Sequence, residues 1–90
     1  RFNKYPTKVT MTTVISACAH LGALDLGKEV HLYMTLHGFG LDVYIGSSLI
    51  YMYAKCGSLD RALLVFYKLQ TKNLFCWNCI IDGLATHGYV

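Results

Sequence analysis

Charge is what this chain has least of. Asp, Glu, Lys and Arg make up 14% of its 90 residues, apolar residues make up 54%, and eight cations against five anions leave a formal net charge of +3. A polyanionic partner is therefore permitted but not demanded. The cations gathered at Arg1, Lys4 and Lys8, and at Lys68 and Lys72, read first as solvated surface. Proline is scarcer still. The single Pro6 disfavours helix at Tyr5 and sets a boundary, which leaves residues 1–7 as the tail of a preceding unit. No uninterrupted apolar run approaches the ~20 residues of a membrane span, so no membrane contact is expected. No stretch reads as a signal or transit peptide.

Paired chemistry is absent too. The cysteines at 18, 56, 76 and 79 follow no repeated spacing, which excludes a disulfide framework and fits small apolar side chains in a reducing compartment. Cys76-Trp77-Asn78-Cys79 has the spacing of a metal knuckle or redox pair, yet it lacks the second pair or the preceding strand that such sites use. His20, His31, His37 and His87 are scattered over different segments, and none joins a nucleophile and a carboxylate. No catalytic residue, metal or cofactor is therefore expected. Ninety residues build at most one small domain with a limited core, and so apolar a composition implies faces meant for neighbouring repeats.

What is present is a recurring corner. In the stretch 54–62, Gly57 is suited to end a helix in the left-handed conformation, Ser58 to accept the orphan amides of the next helix, and Asp60 to favour its positive end. Ala19-His20-Leu21-Gly22-Ala23-Leu24-Asp25 repeats this pattern 35 residues earlier, and Ala85-Thr86-His87-Gly88 begins it again 31 residues later. Repeats are the first thing such a period means.

Between the corners, apolar spacing predicts helices. One runs from Val9 to the corner at Gly22 with Val14, Ile15, Cys18 and Leu21 on one side, although Thr10 to Ile15 locally mimics a strand. A second is expected from about Ala23 to Leu36, burying Leu26, Val30, Tyr33 and Met34, with Lys28, Glu29 and Thr35 on the opposite face. Gly38-Phe39-Gly40 stops it, Phe39 and Leu41 pack back on the helix ends, and Asp42 closes a 35-residue unit. The next unit follows the same plan in 31 residues. Tyr44–Lys55 and Leu59–Leu69 are its helices, the second burying Leu59, Ala62, Leu63, Phe66 and Leu69. A further first helix spans Phe75 to Thr86 with Trp77, Ile80, Ile81 and Leu84, and without a partner helix its apolar face would lie open. Tyr51, Tyr53, Phe66 and Tyr67 read as inter-helix packing. The fold class is all-α, an α-solenoid of stacked helix-turn-helix repeats.

Tetratricopeptide repeats share this period but carry a Trp-Leu-Gly-Tyr set that these units lack. The runs ACAHLGALDLGKEVH (17–31), LIYMYAKCGSLDRA (49–62) with Val65-Phe66, and WNCIIDG (77–83) instead resemble plant pentatricopeptide repeat proteins over nearly the whole chain. One subclass of that family alternates ordinary, long and short repeats. The resemblance implies a long-type unit at 8–42, a short-type unit at 43–73, and the first helix of a truncated ordinary-type unit at 74–90, wound in a right-handed superhelix.

It further implies sequence-selective binding of single-stranded RNA in a mitochondrion or chloroplast, in RNA processing or cytidine-to-uridine editing, alongside other editing or processing proteins. Base-reading residues carry over as Thr12 with Asp42, Ser47 with Asn73, and Asn78 with a partner beyond the chain. Val9, Tyr44 and Phe75 fall at the places that sandwich the bases. An ionised Asp42 only accepts hydrogen bonds, which suits guanine or uracil, whereas Asn73 also donates, which suits adenine or cytosine. In the family a small hydroxyl at the first place goes with purines, so the resemblance implies guanine for Thr12 with Asp42 and adenine for Ser47 with Asn73. Long-type units in the family are often poor readers, and Asp42 equally fits a helix cap. The competing function is a protein-protein interaction scaffold, since helical-hairpin solenoids also bind peptides.

Overall fold

The computed structural model describes residues 7–86, and its elements are α1 (Lys8–Leu21), α2 (Leu24–Leu36), α3 (Val43–Lys55), α4 (Leu59–Lys68) and α5 (Leu74–Thr86). The tail with Pro6 and the third corner at His87-Gly88 lie outside the described residues. The strand-like run at Thr10–Ile15 is helical. Its threonines are accommodated by bonding back along the helix, Thr13 Oγ1 to the Val9 carbonyl at 2.7 Å, while Met11, Ile15 and Cys18 bury themselves at helical spacing.

The helices form two layers. α1, α3 and α5 lie side by side; α2 packs on α1 and α3, and α4 packs on α3 and α5. α2 and α4 do not meet. Lys8 at the start of α1 pairs with Asp42 at the start of α3, and the Cys56 thiol at the end of α3 reaches the Cys18 carbonyl near the end of α1 at 3.6 Å. α1 and α3 therefore run parallel, as repeated units require. α3 is the hub, touching all four other helices, and its buried Ile45, Leu49, Ile50, Met52 and Tyr53 explain why it is apolar nearly all round. Each such side chain contributes roughly 1.5–3 kcal/mol by leaving water. The overall extents, 48 × 27 × 20 Å, are those of a short slab of solenoid.

The corners close as expected and then differ in detail. Gly22 and Gly57 both sit at positive φ, 66° and 83°, and the following amide bonds back to Cys18 at 2.9 Å in one corner and to Tyr53 at 2.8 Å in the other. Ser58, however, does not cap α4 with its side chain. Its amide is spent on the Tyr53 carbonyl, and its buried hydroxyl donates to Asp60 Oδ1 at 3.0 Å. The unequal periods arise in the second helices. α2 has 13 residues and ends at His37, followed by the left-handed Gly38, whereas α4 has 10 and ends on the extended Leu69.

The buried face of α2 is rotated from the expected one. Val30 and Met34 are buried, but Leu26 is 49% exposed and Gly27 takes its place against α3. A Cβ on Gly27 would lie 2.5 Å from Met52 Sδ, so the Met52 thioether fills the space that a side chain there would take. In the other units Leu63 is half-buried, and Trp77, Ile81 and Tyr67 are exposed, although the Trp77 and Tyr67 rings meet Phe66 edge-on.

The corner geometry has a direct consequence for stability. Gly57→Ala should destabilise the chain by about 1–2 kcal/mol, because it forces an L-residue into the left-handed region. Gly40→Ala, at ordinary φ with nothing within 4 Å, should be neutral or stabilising by up to ~1 kcal/mol. Urea unfolding followed by circular dichroism checks both, and equal effects would refute the assigned corner.

Candidate nucleic-acid interface

The expected site residues gather at the starts of α1, α3 and α5, and one local interaction sets all three starts. Thr7 Oγ1 accepts the Thr10 amide at 3.2 Å, Asp42 Oδ1 accepts the Ile45 amide at 2.9 Å, and Asn73 Oδ1 accepts the Cys76 amide at 3.0 Å. Each is a side-chain N-cap made by the residue just before the helix. A cap uses one oxygen. The second polar atom of the residue, Oδ2 of Asp42 or Nδ2 of Asn73, is left for other partners.

Those second atoms have different fates. Asp42 Oδ2 pairs with Lys8 Nζ, whose ammonium also lies 5.2 Å from the centre of the Tyr44 ring. The Ile45 amide and Lys8 together hold the Asp42 carboxyl below its ordinary value of 3.8. Asn73 Nδ2 has no partner among the described residues, so it presents two free N–H donors.

The hydroxyls are also committed. Thr12 Oγ1 donates back to the Lys8 and Val9 carbonyls, both at 3.1 Å, and Ser47 Oγ donates to the Val43 carbonyl. With its single proton used, Ser47 accepts from the Cys76 thiol at 3.2 Å. Cys76 thus links Ser47 and Asn73, receiving its amide's cap from one and giving its thiol to the other. Lys8 links Thr12 and Asp42 in the same sense, through its carbonyl and its ammonium. Neither bridging residue was among the sequence-predicted site residues. Only the shared place of Thr10, Ile45 and Cys76, third in each first helix, marks Cys76 out in the sequence.

Val9, Tyr44 and Phe75 occupy the second position of their helices and are exposed, at 73%, 70% and 47%. A ladder of rings continues from Phe75, which lies 5.8 Å from Tyr51; Lys55 stands 5.7 Å over Tyr51 and His20 approaches its edge at 6.4 Å. Tyr51, Lys55, Phe75 and the exposed Asn78 line one open groove with Asp82. This is a surface of flat rings, cations and hydrogen-bonding edges.

The remaining candidates are accounted for by packing. Cys76 and Cys79 are buried on the inner side of α5, and burial beside Cys76 and Asp82 pushes the Cys79 thiol up to about 11, so it stays protonated at neutral pH. No three of His, Cys, Asp and Glu converge among the described residues as metal ligands would. Tyr53 is buried and its hydroxyl meets His31 Nδ1 at 2.7 Å; Phe66 meets Trp77 edge-on at 4.8 Å. His37 stacks on Tyr33 at 3.8 Å.

Comparison with known proteins matches this chain twice to a model described as PPR repeat, over residues 9–39 and 47–74. Pentatricopeptide repeat-containing protein At1g06143 of Arabidopsis thaliana is 70% identical over 93% of the chain and 15% of its own length. Two further Arabidopsis thaliana relatives are the mitochondrial At2g22410, 46% identical over 96% of the chain and 13% of its own length, and the chloroplastic At1g08070, 44% identical over 90% and 11%. The chain therefore spans about one-seventh of the length of the relatives it resembles.

The cap at Asp42 supplies a test of this geometry. Asp42→Ala should lower stability at pH 7 by about 1 kcal/mol, the usual size of a lost N-cap. Because the folded-state carboxyl titrates below 3.8, its contribution is complete at neutral pH and disappears as pH falls through that lower value. The difference between the two proteins in urea unfolding should narrow in acid. A difference that persists unchanged at the lowest accessible pH would show that the carboxylate is not the capping group.

Proposed function

The chain belongs to the pentatricopeptide repeat family, and from that membership and the geometry of its helix starts we propose that it binds single-stranded RNA base by base. It is one section of a longer array acting in organellar RNA processing or cytidine-to-uridine editing, without catalysis of its own. Residues 8–42 form the long-type unit, 43–73 the short-type unit, and residue 74 onward an ordinary-type unit. The words mitochondrial and chloroplastic in the names of two relatives support an organellar location.

One observation carries the reading. At successive parallel helices the same register brings together an exposed second residue, a hydroxyl or amide at the fifth position and a capping side chain, which at Asp42 and Asn73 keeps a second polar atom. Bases stacked between Val9, Tyr44 and Phe75 would lie within reach of these edges, and each aromatic contact contributes roughly 1–3 kcal/mol in other single-strand binders.

The two complete pairs are not equivalent. Ser47 and Asn73 offer an acceptor oxygen and a free N–H pair, which matches the ring acceptor and exocyclic amine of adenine. Asp42 offers guanine an acceptor only in competition with Lys8, so Thr12 and Asp42 are the less available pair. Asn78 stands ready in the groove for a partner supplied by the following unit.

The test uses the parent-length protein and its footprinted target RNA. Exchanging the adenine assigned to Ser47 and Asn73 for guanine should weaken binding roughly tenfold, within the ~1–3 kcal/mol that one wrong base typically costs. Affinity should also fall steeply with salt, as phosphate contacts require. Binding indifferent to both the base and the salt would favour a protein-interaction scaffold.

A further inference from the structure

The layering leaves a cleft in the outer layer that reaches toward the start of α3, where Leu41 and Ile45 line it. α2 and α4 do not meet, and two adjoining hollows, of about 230 and 150 Å³, lie between them and share His31, Leu41 and Lys68. The smaller is completed by Tyr53, Arg61, Leu64 and Val65. No carboxylate lines either hollow. Three nitrogen-bearing side chains thus share one concave surface without a counter-charge.

Two features of these side chains are unexplained by folding alone. Arg61 is the third residue of α4, in the first turn, where the helix dipole disfavours a cation. His31 Nδ1 lies 2.7 Å from the Tyr53 hydroxyl; when that hydroxyl donates, the imidazole proton sits on Nε2, which has no hydrogen-bond partner among the described residues. His31 faces Tyr53 from α3 and Arg61 and Lys68 from α4. Burial chiefly, and then the Lys68 and Arg61 cations, hold its pKa below the ordinary 6.5.

We propose that this outer cleft is an oxyanion site that takes a phosphate group, with His31 Nε2–H, the Arg61 guanidinium and the Lys68 ammonium as its donors. Arg61 supplies a planar fork suited to two phosphate oxygens and Lys68 a point charge. The neighbouring apolar hollow, with Met34, Phe39, Ile45 and Leu49, has room for a small body on which the phosphate is carried. The site uses none of the residues assigned to base reading, and its occupation would tie α2 to α4 where they otherwise stand apart.

Titration of the chain with inorganic phosphate, at constant ionic strength made up with chloride, tests this through the imidazole resonances of His31. A saturable shift is expected at His31, with His20 and His37 unmoved as internal references. Lys68→Gln and Arg61→Gln should each raise the dissociation constant at least tenfold, and both side chains are exposed, so neither substitution threatens the fold. Lys8→Gln, at the helix starts, should leave it unchanged. Phenyl phosphate in a parallel arm separates the sources: tighter binding than inorganic phosphate assigns the site to a phosphate ester, equal binding to free phosphate. A shift that never saturates, or that saturates equally in Lys68→Gln and Arg61→Gln, overturns the site.

Discussion

The structure depends on a hydrogen bond made three times over, from the amide of the third residue of a first-layer helix to the side-chain oxygen of the residue just before that helix. Thr7, Asp42 and Asn73 each make it, and each starts a first-layer helix in the same register. The bond satisfies one of the amides a helix start leaves orphaned. Its second effect is positional. At Asp42 and Asn73, holding one oxygen against the backbone leaves the second side-chain polar atom, Oδ2 or Nδ2, beside the helix starts. Under the proposed function, structural cap and recognition group would be two ends of one side chain, so the cap interpretation of Asp42 and the reading interpretation do not exclude each other.

The corners serve this arrangement from the opposite end of each helix. Gly22 and Gly57 reverse the chain in the same way, which sends each second helix back across the layer and returns the chain to the next cap. The units differ in length because α4 is shorter than α2, yet the first helices still start together. Variation is absorbed in the outer layer. The price of that freedom is the gap between α2 and α4, where cations and a half-buried histidine collect.

Much of this was legible in the sequence because it is local. A glycine in a left-handed corner, apolar residues at helical spacing and a capping residue before a helix act within a few positions, and the predicted boundaries of the five helices lie within about two residues of those observed. What was not legible is non-local. The burial of Gly27 in place of Leu26 depends on Met52 across a helix interface. The engagement of Asp42 depends on Lys8, 34 residues away, and the thiol that bridges Ser47 and Asn73 becomes visible only when α5 is laid beside α3. Ser58 misled for a related reason: its amide was already taken by the preceding helix, which turned its hydroxyl away from the cap position.

The central claim is that one atom of Asn73 caps while the other reads. Asn73→Asp isolates it, since the carboxylate keeps an oxygen for the Cys76 amide but replaces two N–H donors with an acceptor. Thermal stability of the chain and base preference of the parent-length protein should be measured for this one substitution. Unchanged stability together with a preference moved from adenine to guanine is the expected result. A variant that keeps its stability and still prefers adenine, or shows no preference in either form, would contradict the claim.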